Sequence, residues 1–263
     1  MKAQRSDKDG KYSAIVPLDH ESVIEARGPD YKYEALAKRL ERDRTIFQVH
    51  AHNLHAIRTE EFVRSIATSK TDEQSPHWDN AFFTAADALS LMSMLVMFQP
   101  RRYVEIGSGN STKFARHTIR HKNLPTKITS IDPYPRADID LISDHVVRES
   151  VLRVGTEIFE QLEADDILFH DGSHITFNGT DTVPLFLEIL PVVRPGVIVH
   201  IHDMCLPFEY QKTFSDRGYS EQYMLAAMLL FSPDWEVLLP NYYLWKQGEL
   251  SPGGVSFWIR RVR

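Results

Sequence analysis

Beyond Pro100, short apolar runs alternate with stretches of helical periodicity to the end of the chain, and that alternation dictates a parallel sheet wrapped by helices. Candidate strands are Arg102 to Ile106, Lys127 to Ile131, His145 to Glu149, Asp166 to His170, Gly196 to His202, Trp235 to Pro240 and Val255 to Arg261. Candidate helices are Ser111 to His121, Gly155 to Leu162, Asp181 to Leu190 and Ser220 to Phe231, which give each early strand a right-handed crossover back onto the sheet. No helical pattern separates the last two strands. They are joined by Asn241 to Gly254, and a terminal antiparallel hairpin is expected there.

Upstream, Ala81 to Phe98 reads as an apolar helix that stops at Pro100. Tyr31 to Ile66 carries Leu36, Leu40, Ile46, Val49 and Leu54 at the spacing of one or two amphipathic helices, and Thr68 to Pro76 is a polar break. Residues 1 to about 30 mix charge with Gly10, Pro17, Gly28 and Pro29, as an extended arm would. The chain is therefore expected to divide into an N-terminal arm and helical lid segment, 1–77, and an α/β domain, 78–263. The N-terminal helices are also the expected place for a homo-oligomer contact.

A chain of 263 residues with 43% hydrophobic content buries a full core. Its net charge of −6 is spread without a basic stripe, which argues against nucleic acid as a partner. The single cysteine, Cys205, leaves no internal disulfide and no thiolate-ligated iron–sulfur cluster, and so points to a reducing compartment. Met1 to Gly10 has no apolar core, and Ala85 to Phe98 is shorter than a bilayer needs, so the expected location is the cytoplasm with no membrane partner.

The first candidate strand ends in Glu105-Ile106-Gly107-Ser108-Gly109-Asn110-Ser111, a strand turning sharply into a helix. Two glycines let the backbone approach a ligand closely. Glu105 would repel a pyrophosphate and attract an ammonium or sulfonium group, and Thr112 stands where the dinucleotide fingerprint has its third glycine. The second strand ends at Asp132, where a carboxylate can accept both hydroxyls of a ribose. The ligand read from these residues is a nucleoside carrying positive charge. A glycine pair alone also suits an ordinary tight turn.

Two further strand ends repeat the theme: Ile167 to His170 runs into Asp171-Gly172-Ser173-His174, and Val197 to Ile201 runs into His202-Asp203. Ligands of open α/β sheets bind outside the carboxyl ends of the strands, so these acids and imidazoles are expected to face one crevice. Each alone has a plainer use as a cap, a turn residue or a satisfied polar group. Together, Asp171, His202 and Asp203 offer carboxylate and imidazole ligands to a divalent cation, from magnesium through manganese to iron.

The acid followed by Gly-x-Gly at 105–109 and the acid closing the second strand resemble the first two motifs of the class I methyltransferases that use S-adenosylmethionine. The resemblance covers about residues 78 to 261 and implies a Rossmann-like methyltransferase fold, a seven-stranded mostly parallel sheet with a terminal antiparallel hairpin, with S-adenosylmethionine as cofactor. It implies that Gly107, Ser108, Gly109, Asn110 and Ser111 surround the methionine part beside Glu105, that Asp132 holds the ribose, that Glu149 and Ser150 lie near the adenine, and that Asp171 serves cofactor and metal together.

Asp171-Gly172-Ser173-His174 looks like the metal-dependent O-methyltransferases acting on macrolide sugars and the related cephalosporin hydroxylase-like family. That likeness implies a metal ligand at Asp171, a general base at His174 and a second ligand at Asp203. Those families carry an acidic pair where this chain has His202 first, which leaves the metal open, since magnesium prefers oxygen. Trp78-Asp79-Asn80 through Asp87, and Asp203 through Glu221-Gln222-Tyr223, also resemble uncharacterised bacterial methyltransferases.

The expected function is metal-assisted methylation of a small-molecule hydroxyl, on a sugar or secondary metabolite, with His174 taking the proton near neutral pH. A mononuclear iron oxygenase or hydrolase on the same scaffold and a non-catalytic nucleoside-binding module are the alternatives. His50, His52 and His55 read as a solvated helix face rather than a second metal site. Glu221 and Gln222 open a helix whose positive end favours the acid, and Trp78, Phe82 and Phe83 read as core rather than acceptor pocket.

Overall fold

The structure is a computed structural model that describes residues 2–5, 12–15 and 27–263. Strands β1 (Lys2–Arg5) and β2 (Tyr12–Ile15) pair antiparallel in a sheet of their own, and the remainder of the arm expected before residue 27 lies outside the described residues.

Three helices follow: α1 (Glu34–Arg42), α2 (Arg44–Ile57) and the single turn α3 (Glu61–Arg64). Leu36 and Leu40 share the buried face of α1, one helical turn apart, and Phe47, His50, Ala51, Leu54 and Ile57 repeat that spacing along α2. His50 therefore faces the core beside Phe98 and not solvent, while His52 is exposed and His55 meets the Glu249 carbonyl, so the three rings diverge. Val49, expected on the apolar stripe, is exposed because it falls between two buried positions.

Helix α4 (Ala85–Phe98) is apolar around its whole circumference, the pattern of a helix covered on all sides. Thr84 caps its start by accepting the Asp87 N–H, and Gln99 in the left-handed region ends it before Pro100. From there the chain alternates as expected: β3 (Arg102–Ile106), α5 (Asn110–Lys122), β4 (Lys127–Ile131), β5 (His145–Val147), α6 (Glu157–Glu160), β6 (Ile167–His170), α7 (Thr182–Pro184), α8 (Leu190–Val192), β7 (Ile198–Ile201), α9 (Lys212–Ser215), α10 (Glu221–Phe231), β8 (Trp235–Pro240), α11 (Asn241–Lys246) and β9 (Phe257–Arg261).

The strands form one seven-stranded sheet in the order β5-β4-β3-β6-β7-β9-β8. All pairs from β5 to β7 are parallel, and β9 runs antiparallel to both β7 and β8. This is the Rossmann-like α/β architecture expected, with strand order reversing at β3. Arg39 ties the N-terminal helices to the sheet edge, donating to the Trp235 carbonyl at 2.7 Å and to Asp43 at 2.5 Å. The central strands are buried on both faces, which is why they read as continuous apolar runs.

Three elements depart from expectation. The connection from Asn241 to Gly254 begins with α11, whose consecutive Tyr242, Tyr243 and Leu244 are all buried, so no one-sided period marks it as a helix. The helix expected over Gly155 to Leu162 contracts to the single turn α6. The stretch from Asp181 is interrupted by a π-helical turn, Leu185–Ile189, ahead of Pro191, which has no N–H to continue an α-helical ladder. Among the described residues no helix is long and apolar enough to cross a membrane.

Candidate active site

The loop after β3 is pinned by its neighbours. Gly107 adopts φ +80°, and a Cβ there would stand 1.9 Å from the Asp171 carbonyl oxygen, so only glycine lets the ends of β3 and β6 close together. Ser108 donates to the Asp132 carboxylate from its amide at 2.8 Å and from its hydroxyl at 3.2 Å, and the other carboxylate oxygen accepts the Tyr134 amide at 2.8 Å. Thr112, in the place of the fingerprint's third glycine, accepts the Gly109 amide at 3.0 Å and donates to Glu105 at 2.5 Å.

Glu105 is fully buried and points into the protein. Hydroxyls of Thr112, Ser130, Tyr103 and Ser111 all donate to it, and it lines none of the three cavities described next. Burial pushes its carboxyl up to about 7 against the pull of those hydroxyls. Its place is the organisation of the loop, not contact with a ligand as its strand-end position led one to expect.

Three adjoining cavities open above the carboxyl ends of the strands. One, of about 380 Å³, is lined by Gly107, Ser108, Ile131 to Tyr134, Ser150 to Leu152 and the Gly172 to Asp181 side. A second, of about 320 Å³, lies between Lys70 to Phe83 and Ser108 to Lys113. The third, also about 320 Å³, lies over β6 and β7, with Asp171, His174, His202 and Asp203 in its wall. Asp171 and Arg136 line all three, so the crevice is continuous at those two residues. Each volume falls in the range of small-molecule sites.

The third cavity has a buried polar floor. His174 Nε2 is 3.1 Å from Asp171 Oδ1 and 3.4 Å from Asp203 Oδ2, while its Nδ1 is 3.0 Å from Glu221 Oε2. The other Glu221 oxygen lies 3.1 Å from His170 Nε2. His202 Nδ1 stands 3.3 Å from Asp203 and 3.7 Å from Asp171, and its Nε2 faces the buried Asp87 at 3.5 Å. Burial opposes charge on these rings, but the surrounding carboxylates outweigh it and hold His174 and His202 well above the usual histidine value. Against the same opposition, the imidazoles hold Asp171 below the usual carboxylate range and Glu221 down to about 2. His200 goes the other way: burial, reinforced by the neighbouring His202, outweighs the pull of Asp171 and holds it well below the usual histidine value.

Asp171, His202 and Asp203, expected to ligate a cation, thus stand together, with His174 among them. Among the described residues no group of three or more His, Cys, Asp or Glu side chains is arranged as a metal-binding set. The ring nitrogens face the carboxylates at ion-pair distances, and imidazolium charge balances them.

Of the residues expected around a cofactor, Gly107, Ser108, Asp132, Ser150 and Asp171 line the 380 Å³ cavity, and Ser108, Gly109, Asn110, Ser111 and Asp171 line the one beside it. Glu149 does not join them: β5 ends at Val147, leaving Glu149 exposed and 3.6 Å from Arg153. Trp78 and Phe83 pack on Phe114, in keeping with a core role, whereas Phe82 is 60% exposed under Arg136 and lines two cavities. Asp87, Glu221 and Arg136 were not singled out from the sequence as site residues. The first two have an ordinary use in the first turn of a helix, which hides their second partner.

Residues 104–204 match the family model described as a methyltransferase domain. No curated protein matches the chain. Among solved structures, the O-methyltransferase from Bacillus cereus in complex with SAH is 14% identical, over 89% of this chain and 92% of that one, at a TM-score of 0.43. An SAH-bound methyltransferase from Podospora anserina is 16% identical, over 95% of this chain and all (100%) of that one, at 0.42. Residues 104–204, from the end of β3 to just past β7, thus carry the likeness to a methyltransferase domain, on a sheet whose strand order is that of the Rossmann-like architecture.

Proposed function

We propose that the chain methylates a hydroxyl of a small molecule, with S-adenosylmethionine bound across the first two cavities and the acceptor in the third. The observation that carries this reading is the meeting of all three cavities at Asp171, whose carboxylate is 3.1 Å from His174 Nε2. S-adenosylmethionine supplies an already activated methyl group, so the protein's task is alignment and proton removal.

Asp132 sits on the cavity wall with two carboxylate oxygens that each accept from a neighbouring amide and keep further lone pairs for a ribose diol. Ser150 lies farther along the same wall, on the side suited to a base. Glu221 accepts from His174 Nδ1 and fixes the ring with Nε2 between Asp171 and Asp203, so Nε2 serves as proton acceptor in the neutral form of the ring, above its raised pKa.

By residue type Asp171, Asp203 and His202 are donors a divalent ion accepts, and an outer carboxylate such as Asp87 behind His202 orients ligating histidines, although the side chains now stand as ion pairs and not as a metal-binding set. A cation held by Asp171, His202 and Asp203 would supply the charge now carried by imidazolium and lower the pKa of a bound hydroxyl.

Calorimetry with S-adenosylhomocysteine tests the cofactor reading; a folded chain that does not bind at high micromolar ligand rules it out. Across a panel of hydroxylated small molecules, His174→Ala should lose at least about a hundredfold in turnover while keeping S-adenosylhomocysteine affinity. Chelation followed by return of magnesium, manganese or iron(II) tests the metal, and oxygen uptake with iron would instead favour an oxygenase, for which the nitrogen ligands speak.

A further inference from the structure

We propose that the acceptor carries an anionic group, a carboxylate or phosphate, bound by Arg217 and Arg136 while its hydroxyl stands at His174. This deepens the methyltransferase reading and rests on it.

The cavity over β6 and β7 is lined by charge of both signs. At the floor, Asp171 and Asp203 are each engaged by both His174 and His202. Arg136 and Arg217 also line it, both exposed, and among the described residues neither lies within ion-pair distance of a carboxylate. No other acid lines this cavity. Asp171 and Asp203 act on these guanidinium groups through space, but no carboxylate occupies either fork among the described residues, so both keep donors for an entering anion. Guanidinium forks match carboxylate and phosphate geometry, and a concave wall focuses their field on an entering anion.

The spacing is built in. Arg217 Nη1 is 3.5 Å from the Tyr219 hydroxyl, and the Tyr219 ring lies 4.7 Å from the His174 ring. Phe214 stacks against Tyr219 at 5.3 Å with an interplanar angle of 7°, so the tyrosine is held in place. The cation thus stands one tyrosine ring beyond the proton acceptor. An acceptor that reaches both has its hydroxyl and its anion at opposite ends of a ring-sized skeleton. The apolar sides of Phe82, Phe214 and Trp245 suit such a skeleton, and a volume of about 320 Å³ accommodates one ring with its substituents.

The test uses the full chain and matched acceptors: hydroxybenzoates, hydroxyphenyl phosphates and the neutral hydroxybenzamides, with a hydroxycyclohexane carboxylate and its amide as non-aromatic rings. S-adenosylhomocysteine binding is measured first by calorimetry, and its release during turnover second. Anionic acceptors should exceed their neutral partners by at least about tenfold in kcat/KM, the size expected of one charged hydrogen bond. Arg217→Gln should erase most of that preference through KM, with kcat and S-adenosylhomocysteine affinity retained; Arg136→Gln should do so in part. Comparison of the carboxylate and phosphate arms decides which anion is preferred.

Equal use of amides and acids, or failure of every anionic acceptor to bind to a chain that does bind S-adenosylhomocysteine, overturns the proposal and leaves the methyltransferase reading intact. Absence of S-adenosylhomocysteine binding is the separate outcome that removes both.

Discussion

Replacing Asp87 should damage the fold before it damages chemistry, and by an amount the structure sets. The side chain is fully buried in the first turn of α4. One oxygen accepts from the backbone amides of Val255 at 2.8 Å and Ser256 at 2.7 Å and from Asn241 at 3.2 Å. The other accepts the Thr84 hydroxyl at 2.7 Å and faces His202 at 3.5 Å. Asp87→Ala leaves four donors without an acceptor and His202 without a counter-charge, in a place water does not reach. Each orphaned donor costs about 1–3 kcal/mol and a broken buried pair about 3–5 kcal/mol, in overlapping amounts. A total of about 4–6 kcal/mol consumes much of a folding stability of about 5–15 kcal/mol. Asp87→Asn keeps a carbonyl for the two amides but turns an NH2 donor toward Thr84 and His202, so a smaller loss of about 1–3 kcal/mol is expected.

Urea unfolding followed by tryptophan fluorescence at pH 7 measures both variants, since Trp258 lies in the same buried region and donates to Ser90. Burial opposes the charge on Asp87, but His202 and the surrounding donors outweigh it and hold the carboxyl below its usual range. The stabilisation is therefore present above the unfolded value near 3.9 and is lost as pH falls through the lower folded value. The gap between wild type and Asp87→Asn should stay constant from pH 6 to 8 and close only in acid. An Asp87→Ala variant within about 1 kcal/mol of wild type, or an Asn variant as damaged as the Ala one, refutes the reasoning.

Three further outcomes follow. Gly107→Ala should abolish S-adenosylhomocysteine binding and cost more than about 3 kcal/mol, because its Cβ has backbone 1.9 Å away and φ is +80°; unchanged affinity by calorimetry contradicts this. Glu105, raised to about 7 from 4.5, contributes stability that is full below pH 4.5 and lost as pH rises through 7; Glu105→Gln should remove up to about 3 kcal/mol of that dependence, and parallel urea curves for both proteins from pH 4.5 to 8 would refute it. Burial pushes the Cys205 thiol up to about 12, so a disulfide reagent should label the native chain at pH 8 only through unfolding, and labelling at the rate of a free thiol would count against its burial.

The strand-end residues were legible in the sequence for a geometric reason. Parallel strands deliver their carboxyl ends to one edge, so an acid or imidazole just past an apolar run belongs at that edge wherever it falls in the chain. Asp132, Asp171, His174, His202 and Asp203 were found this way, and all five line the crevice. Glu105 shows the limit of the argument. It sits one residue inside the strand, where successive side chains point to opposite faces, and its face is the one that α5 covers with Ser111 and Thr112. Position along a strand was readable; side-chain direction at its last turn was not. Helix α11 escaped for the converse reason, since burial on all sides erases the period by which a helix is read.

Asp87 and Glu221 were illegible for a different reason, and they bear on how the site works. Glu221 is 47 residues from His174 along the chain, and each acid opens a helix, where a carboxylate already has a sufficient local explanation. The fold gives each a second use at no cost to the first. Asp87 lies in the first turn of α4 and faces His202, and Glu221 opens α10 and reaches both His170 and His174. Strands thus bring the groups that face the crevice, and helices bring the carboxylates that stand behind them. Mutation at a helix start should then change the protonation of rings on a strand end. Glu221→Gln should preserve α10, whose helix-dipole gain from that acid is only about 0.3–1 kcal/mol, and yet lower the affinity of His174 and His170 for protons, as ring proton shifts followed by NMR across pH will read. Loss of helix content without any movement of those shifts would mean that Glu221 serves the helix alone.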